Sequence, residues 1–216
     1  MTGQTYDLMA PAYEWLTDAY SFGLVPRAKY QQLAHIDQGT RVLYVGVGPG
    51  SDAVAAAQKG ADVAAVDLSS KMIDVASSRF AAAGQRANLQ CVDLFAYEPE
   101  APFDVVVANF LLDCFDEPTR PQVAEMLASF LLPGGTLLIT DTGLPRGSWL
   151  GRSFWYAYQG VAYATTWIQG ITPWLPKMDL HVYLANAGFS VGDHELHRPW
   201  RRGPVLFESI TGRKPG

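Results

Sequence analysis

The rhythm of apolar and polar positions changes at residue 41. Before it, "YDLMAPAYEWLTDAYSFG" and "PRAKYQQLAHI" mix aromatic, small and polar residues with helical spacing. They predict two short helices broken near Gly23 and Pro26. After it, apolar runs of strand length alternate with amphipathic stretches. "RVLYVGV" is a β-branched run that predicts a strand, and "SDAVAAAQKG" a helix that Ser51 or Asp52 can cap and Gly60 ends. "ADVAAVDLS" predicts a second strand, and "SKMIDVASSRFAAAG" a helix from Ser69 or Ser70 to Gly84. "ANLQCVDLF" and "PFDVVVANFLL" predict strands three and four. "PTRPQVAEMLASFLLPGG" predicts a helix closed by Pro-Gly-Gly, and "TLLITDT" strand five. The tail reads as a helix, "MDLHVYLANAG", then two strands, "FSVGDHELH" and "PVLFESITGRK", joined by the basic "RPWRR" as an antiparallel pair.

Strands that are apolar on both faces and alternate with helices predict a parallel sheet covered on each side. The expected fold is α/β: a doubly wound, Rossmann-like, seven-stranded sheet with an antiparallel last strand and helices on both faces. Residues 143–176 break the alternation and hold Trp149, Phe154, Trp155, Tyr156, Tyr158, Tyr163, Trp167 and Trp174. The chain reads as one domain over 1–216, with 1–40 as a helical lid and 143–176 as an aromatic insertion that caps a substrate. Trp155, Tyr158 and Ala162 have helical spacing, so packing explains part of that insertion. An acceptor pocket, or a membrane-surface or protein contact, are its other readings.

Composition narrows the classes. The chain has 216 residues, 17% charged and 49% hydrophobic, which suits a packed globular domain. A net charge of −5 argues against a general nucleic-acid binder. Cys91 and Cys114 have no metal-ligand spacing and read as buried apolar residues in a reducing compartment. The start "MTGQTYDLMA" lacks a signal-peptide pattern, and no apolar run approaches a membrane span, so a cytoplasmic location is expected.

Candidate chemistry collects at strand ends, where open α/β sheets bind ligands. Gly46, Gly48 and Gly50 let the backbone turn sharply and approach a ligand closely. A tight turn alone is the bland reading. Asp67 ends strand two and can accept both hydroxyls of a ribose; Asp93 ends strand three. Helix capping is the competing use of each. A dinucleotide fingerprint wants a small residue one place beyond Gly50, where Ser51 stands.

Together these segments resemble the class I S-adenosylmethionine-dependent methyltransferases, of the small-molecule type that includes the ubiquinone-biosynthesis enzymes. The likeness runs from about residue 41 to 141 and continues loosely to the end. It rests on Gly46-Val47-Gly48-Pro49-Gly50, "AAVDLSSKM", "CVDLF", "FDVVVANFLLDCF" and "LLPGG". The resemblance implies S-adenosylmethionine as cofactor. It implies that Gly46, Val47, Gly48 and Gly50 lie under its methionine part and that Asp67 holds the ribose. Leu68, Met72 and Leu94 would flank the adenine, Asp93 would face its amine, and Asn109 with Ala108 would lie near the amino group. Tyr6 and Tyr13 of the N-terminal helix would close over it. One departure stands out: Tyr44 occupies a position that in the family usually carries an acid, and Asn109, Asp113, Tyr6 or Asp7 would have to compensate.

Methyl transfer from a sulfonium needs alignment and dryness more than a strong catalyst. A base matters for a hydroxyl or an acidic carbon. Asp113 and Asp141 lie at the expected rim, each also open to a structural reading; His181 reads as structural. No metal cluster is expected. The expected reaction is methylation of a small, rather apolar or aromatic molecule at O, N, S or C. Two alternatives remain: cyclisation or lysis of the cofactor that releases methylthioadenosine, and non-catalytic binding as a sensor or partner subunit. Arg198, Arg201 and Arg202 read either as a solvated hairpin tip or as a hold for a carboxylate or lipid headgroup.

Overall fold

The computed structural model describes residues 13–168, 172, 174 and 178–216, excluding the side chains of 13–16, 165 and 166. Two helices open it, α1 (Tyr13–Tyr20) and α2 (Leu24–Gln31), followed by a 3-10 turn over Gln32–His35. Then come β1 (Arg41–Val45), α3 (Ser51–Gln58), β2 (Asp62–Asp67), α4 (Ser70–Ala82), β3 (Asn88–Cys91), β4 (Phe103–Asn109), α5 (Arg120–Ser129) and β5 (Leu131–Asp141). The chain finishes with α6 (Trp149–Ile168), α7 (Leu180–Asn186), β6 (Ser190–His197) and β7 (Phe207–Arg213).

The strands form one sheet in the order β3-β2-β1-β4-β5-β7-β6. β1 to β5 run parallel, whereas β7 runs antiparallel to both β5 and β6. Successive side chains leave a strand on opposite faces, so a run apolar throughout buries both. On β1, Leu43 and Val45 enter one core with Val106, Leu137 and Ile139. Val42 and Tyr44 enter the other with Ala53, Ala65 and Phe80. The order reverses between β1 and β4, which opens a crevice at their carboxyl ends.

Several boundaries differ from the sequence expectation. Pro26 sits in the first turn of α2, where its missing N–H is harmless; Phe22 and Gly23, at φ 55° and 72°, make the break. Neither Ser51 nor Asp52 caps α3, because Gly50 is its N-cap at φ 75°. Ser69 does cap α4, accepting Met72 N–H at 3.2 Å. The helix expected to reach Pro-Gly-Gly stops at Ser129, and Leu131 already pairs with Phe103. Pro133, Gly134 and Gly135 lie within β5, where the register against β4 shifts. Cys91 is exposed, not buried, because β3 is an edge strand, and Cys114 is half-buried.

A file of polar side chains crosses the buried sheet. Gln32 donates through Nε2 to Asn109 Oδ1 and to Thr140 Oγ1, each at 2.9 Å, and Asn109 Nδ2 returns a bond to Gln32 Oε1 at 2.8 Å. Thr140 Oγ1 meets Ser209 Oγ at 2.7 Å, and Ser209 Oγ meets His197 Nε2 at 2.7 Å. Burial lowers the His197 imidazole from its ordinary pKa.

The aromatic segment forms most of α6, and its inner face packs on the N-terminal helices. Trp155 is buried with Leu24, Val25, Leu206 and Phe207. Tyr158 stacks on Tyr20 with centroids 4.6 Å apart and donates to the Tyr20 carbonyl at 2.6 Å. Tyr20 donates to Gln159 Oε1 at 2.7 Å. The link into α6 is tied down by Glu208, a buried acid that accepts from Arg146 Nε at 2.8 Å and lies 2.9 Å from His194 Nε2.

Candidate functional site

The glycine segment turns out of β1 with three left-handed residues in alternation: Gly46, Gly48 and Gly50 have φ of 68°, 54° and 75°. Any other residue is strained there. The three glycines nonetheless do different things. A Cβ on Gly46 would lie 3.2 Å from Leu111 Cδ1, so that glycine admits a wall residue. A Cβ on Gly50 would lie 3.1 Å from Ala76 Cβ, so that glycine lets α3 pack on α4. Gly48 has open space beside it.

Asp67 anchors this turn. Its Oδ2 accepts Gly48 N–H at 2.8 Å and its Oδ1 accepts Ser69 N–H at 2.9 Å. Burial pushes its carboxyl above the ordinary value, opposed by those backbone donors, by Leu68 N–H and by the Lys29 ammonium. A carboxylate has about four acceptor positions, so capacity for ligand hydroxyls remains. Asp93 similarly spends Oδ1 on Phe95 N–H at 2.8 Å.

Around this turn lies a cavity of about 590 Å³ with mostly apolar walls. Such a volume falls within the range of small-molecule sites, about 300–1,000 Å³. Gly46, Gly48, Asp67, Leu68, Met72, Asp93, Leu94 and Asn109 all line it. Val47 does not: its side chain is buried in the core between β1 and α3. Gly50 is also off the lining, for the packing reason given above. Tyr6 and Asp7 lie outside the described residues. Tyr13 begins α1, but its side chain is outside them too. His181 is exposed on α7, away from the cavity.

Tyr44 points into the core and not the cavity; its hydroxyl donates to the Asp52 carbonyl at 3.4 Å. The charge nearby comes from another source. Lys29 of α2 lines the cavity and pairs with the buried Asp52 carboxylate at 3.6 Å. Sequence reasoning missed Lys29, as it missed the wall made by Phe110, Leu111, Cys114, Phe115 and Thr119. Only the phrase "NFLLDCF" gave a local signal for that wall.

Asp113 and Asp141 sit behind that wall, and neither reaches the lining. Asp141 Oδ2 accepts the N–H groups of Leu112 and Asp113 at 3.0 and 3.3 Å; its Oδ1 accepts that of Thr142 at 2.7 Å. Asp113 Oδ2 accepts Tyr163 O–H at 2.7 Å, and Cys114 Sγ lies 3.5 Å from Asp113 Oδ1. Burial pushes Asp113 up to about 6. Burial, then the charge of Asp113, pushes Asp141 well above its ordinary value. Arg120 Nε donates to the carbonyls of Leu112 and Phe115 at 3.2 and 3.0 Å. Phe110 takes a left-handed φ of 53° that presents this turn to the crevice. Among the described residues, no group of three His, Cys, Asp or Glu side chains is placed to hold a metal.

Known methyltransferases resemble this chain in sequence and in fold. Residues 42–135 match the family model described as a methyltransferase domain. Over 171 residues the chain is 29% identical to the ubiquinone biosynthesis O-methyltransferase of Xanthomonas euvesicatoria pv. vesicatoria, a match spanning 76% of this chain and 69% of that protein. The Burkholderia thailandensis 1,6-didemethyltoxoflavin-N1-methyltransferase, solved with its substrate and S-adenosylhomocysteine, superposes with a TM-score of 0.69. It shares 17% identity and covers 98% of this chain and 87% of its own. The cyclase SpnF superposes with a TM-score of 0.71 at 20% identity, covering 99% of this chain and 94% of its own. At such identities these structures establish the fold. Residues 42–135 thus match a methyltransferase domain, and the chain has the fold of the S-adenosylmethionine-dependent methyltransferases that its motifs resemble.

Proposed function

We propose that this methyltransferase moves the methyl group of S-adenosylmethionine onto a small, largely apolar acceptor by in-line displacement. One observation carries the reading: the glycine turn, Asp67 and Asp93 open onto the same cavity, which Phe110, Leu111 and Phe115 also line. The bare turn fits a ligand that lies against backbone, since Gly48 has open space where a side chain would stand. In this reading Asp67 takes the ribose hydroxyls with the acceptor positions left by Gly48 and Ser69. Leu68, Met72 and Leu94 flank the adenine, and Asp93 Oδ2 faces its amine. Lys29 offers its ammonium to the cofactor's carboxylate, and Asn109 presents its amide near the amino group.

The bound cofactor supplies an activated methyl; the chain supplies alignment and excludes water. The parts we assign to Asp113 and Asp141 follow from their placement. They hold the 110–115 turn in shape, since their oxygens already serve Tyr163 and three backbone N–H groups. The apolar wall, with Phe110, Leu111 and Phe115, then keeps the transfer path dry.

A fold of this kind does not fix its chemistry, as a cyclase with the same architecture shows. The test is therefore a product analysis. Purified protein is incubated with S-adenosylmethionine and panels of phenols, amines, thiols and acidic carbon acids, and products are read by mass spectrometry. S-adenosylhomocysteine with a methylated acceptor supports the reading. Methylthioadenosine would assign the cofactor to cyclisation or lysis, and tight binding without turnover would assign the chain to sensing.

A further inference from the structure

We propose that the groove between α2 and the β6–β7 connection is a binding site for a phosphate-type oxyanion. This second cavity holds about 490 Å³ and lies apart from the glycine turn. Arg27 lines it from α2, and Arg198, Trp200 and Arg201 line it from the connection, with His197 buried at its edge. Glu195 is the acid on this lining, so three guanidinium groups face one carboxylate. The chain as a whole carries a net charge of −5, so this surplus is local and does not reflect a generally basic surface.

The residue type suits the ligand. A guanidinium offers a planar fork of donors that matches two oxygens of a phosphate, where an ammonium acts as a point charge. Arg198 spends one donor on the Gly203 carbonyl at 2.6 Å, which steadies its side chain against the loop. His197 gives Nε2 to Ser209 at 2.7 Å, and burial and the charge of Arg27 favour its neutral form. It therefore adds a polar group but little charge.

The groove also has an apolar flank. Trp200 is 53% exposed and meets Phe154 edge to face, with centroids 5.9 Å apart. Leu150 and Val161, 62% and 74% exposed, share that face of α6 by helical spacing. A ligand with an oxyanion at one end and an apolar body at the other matches both halves. A phospholipid headgroup and a free phosphate share this chemistry, and the experiment separates them.

Inorganic phosphate is titrated by calorimetry in phosphate-free, low-salt buffer. In parallel, the full chain is sedimented with vesicles of phosphatidylcholine alone or mixed with phosphatidylglycerol. The Arg27→Ala, Arg201→Ala double variant is compared with Arg86→Ala, an exposed arginine between α4 and β3. Expected is a loss of at least about tenfold in the double variant and none in Arg86→Ala. Association that needs phosphatidylglycerol and falls with the double variant identifies a headgroup; phosphate binding without vesicle binding identifies a soluble source. Arg201→Glu, on the exposed connection, repeats the comparison if the double variant melts early. The proposal is overturned if neither probe binds, or if the arginine variants bind as tightly as the wild type.

Discussion

The carboxylate of Asp67, at the end of β2, accepts the backbone N–H of Gly48, in the turn that leaves β1, at 2.8 Å. One side chain therefore both shapes the glycine turn and faces the cavity it borders. Replacing it should injure binding through the turn as well as through lost ligand contacts. Asp67→Asn is expected to weaken S-adenosylhomocysteine by about 1.5–3 kcal/mol, the range for hydrogen bonds to a charged group. Calorimetry on the folded variant measures this, and an unchanged affinity removes Asp67 from the cofactor.

Gly50 and Gly48 look alike in sequence but should respond differently. Gly50→Ala places a Cβ 3.1 Å from Ala76 Cβ at a φ of 75°. A loss of about 1–3 kcal/mol is expected from strain and crowding together. Gly48→Ala meets nothing within 4 Å and bears only the strain of its φ. Denaturant unfolding of the pair decides; equal losses would contradict the division of roles.

The buried acid pair sets a pH dependence with an unusual sign. Burial raises Asp113 from 3.8 to about 6, so the folded state holds its proton more tightly than the unfolded state does. Stability is then fully present below the unfolded value and declines as pH rises through the folded one. Asp113→Asn cannot ionise. Its melting temperature, relative to wild type, should therefore climb between about pH 4 and pH 7. Parallel melting curves across that window would show that Asp113 does not titrate as its burial implies.

Trp155 is 1% exposed at the junction of α6 with α2 and the segment that leads into β7. Trp155→Ala is expected to lower stability by about 3–5 kcal/mol, the range for deleting a buried aromatic. Far less would mean that α6 is held by its tyrosines and Glu208 alone.

Cys114 lines the cavity, whereas Cys91 is exposed on β3 and off the lining. Saturating S-adenosylhomocysteine should slow alkylation of Cys114 and spare the rate at Cys91, as mass spectrometry of the labelled peptides would read. Equal protection, or none, would place the ligand away from the 110–115 wall.

What the sequence disclosed follows from where its signals originate. The sheet was legible because burying both faces demands continuous apolar runs, and β1, β2, β4 and β5 have them. Gly46, Gly48, Asp67 and Asp93 were legible because parallel strands deliver their carboxyl ends to one rim. Lys29 was not, since a lysine on α2 resembles any solvated helix residue until tertiary packing brings it to the cavity. Asp113 and Asp141 lie beside the rim as expected yet turn inward, and sequence position carries no information about that direction. Gly50 and Val47 lie off the cavity lining for the same reason: a motif marks a segment, while the backbone assigns each member its face.

The polar file from Gln32 to His197 has a bearing on how the sheet finds a single alignment. Asn109 and Thr140 are register partners across β4 and β5, and Thr140 and Ser209 are partners across β5 and β7. Leucines and valines would let a neighbouring strand slide by two places and still point its oily side inward. Amides and hydroxyls would then lose their mates in a dry interior, and that mispairing is penalised at every peg. These few side chains thus act as a key against misthreading at the antiparallel end, where nothing but register distinguishes a correct hairpin from a shifted one.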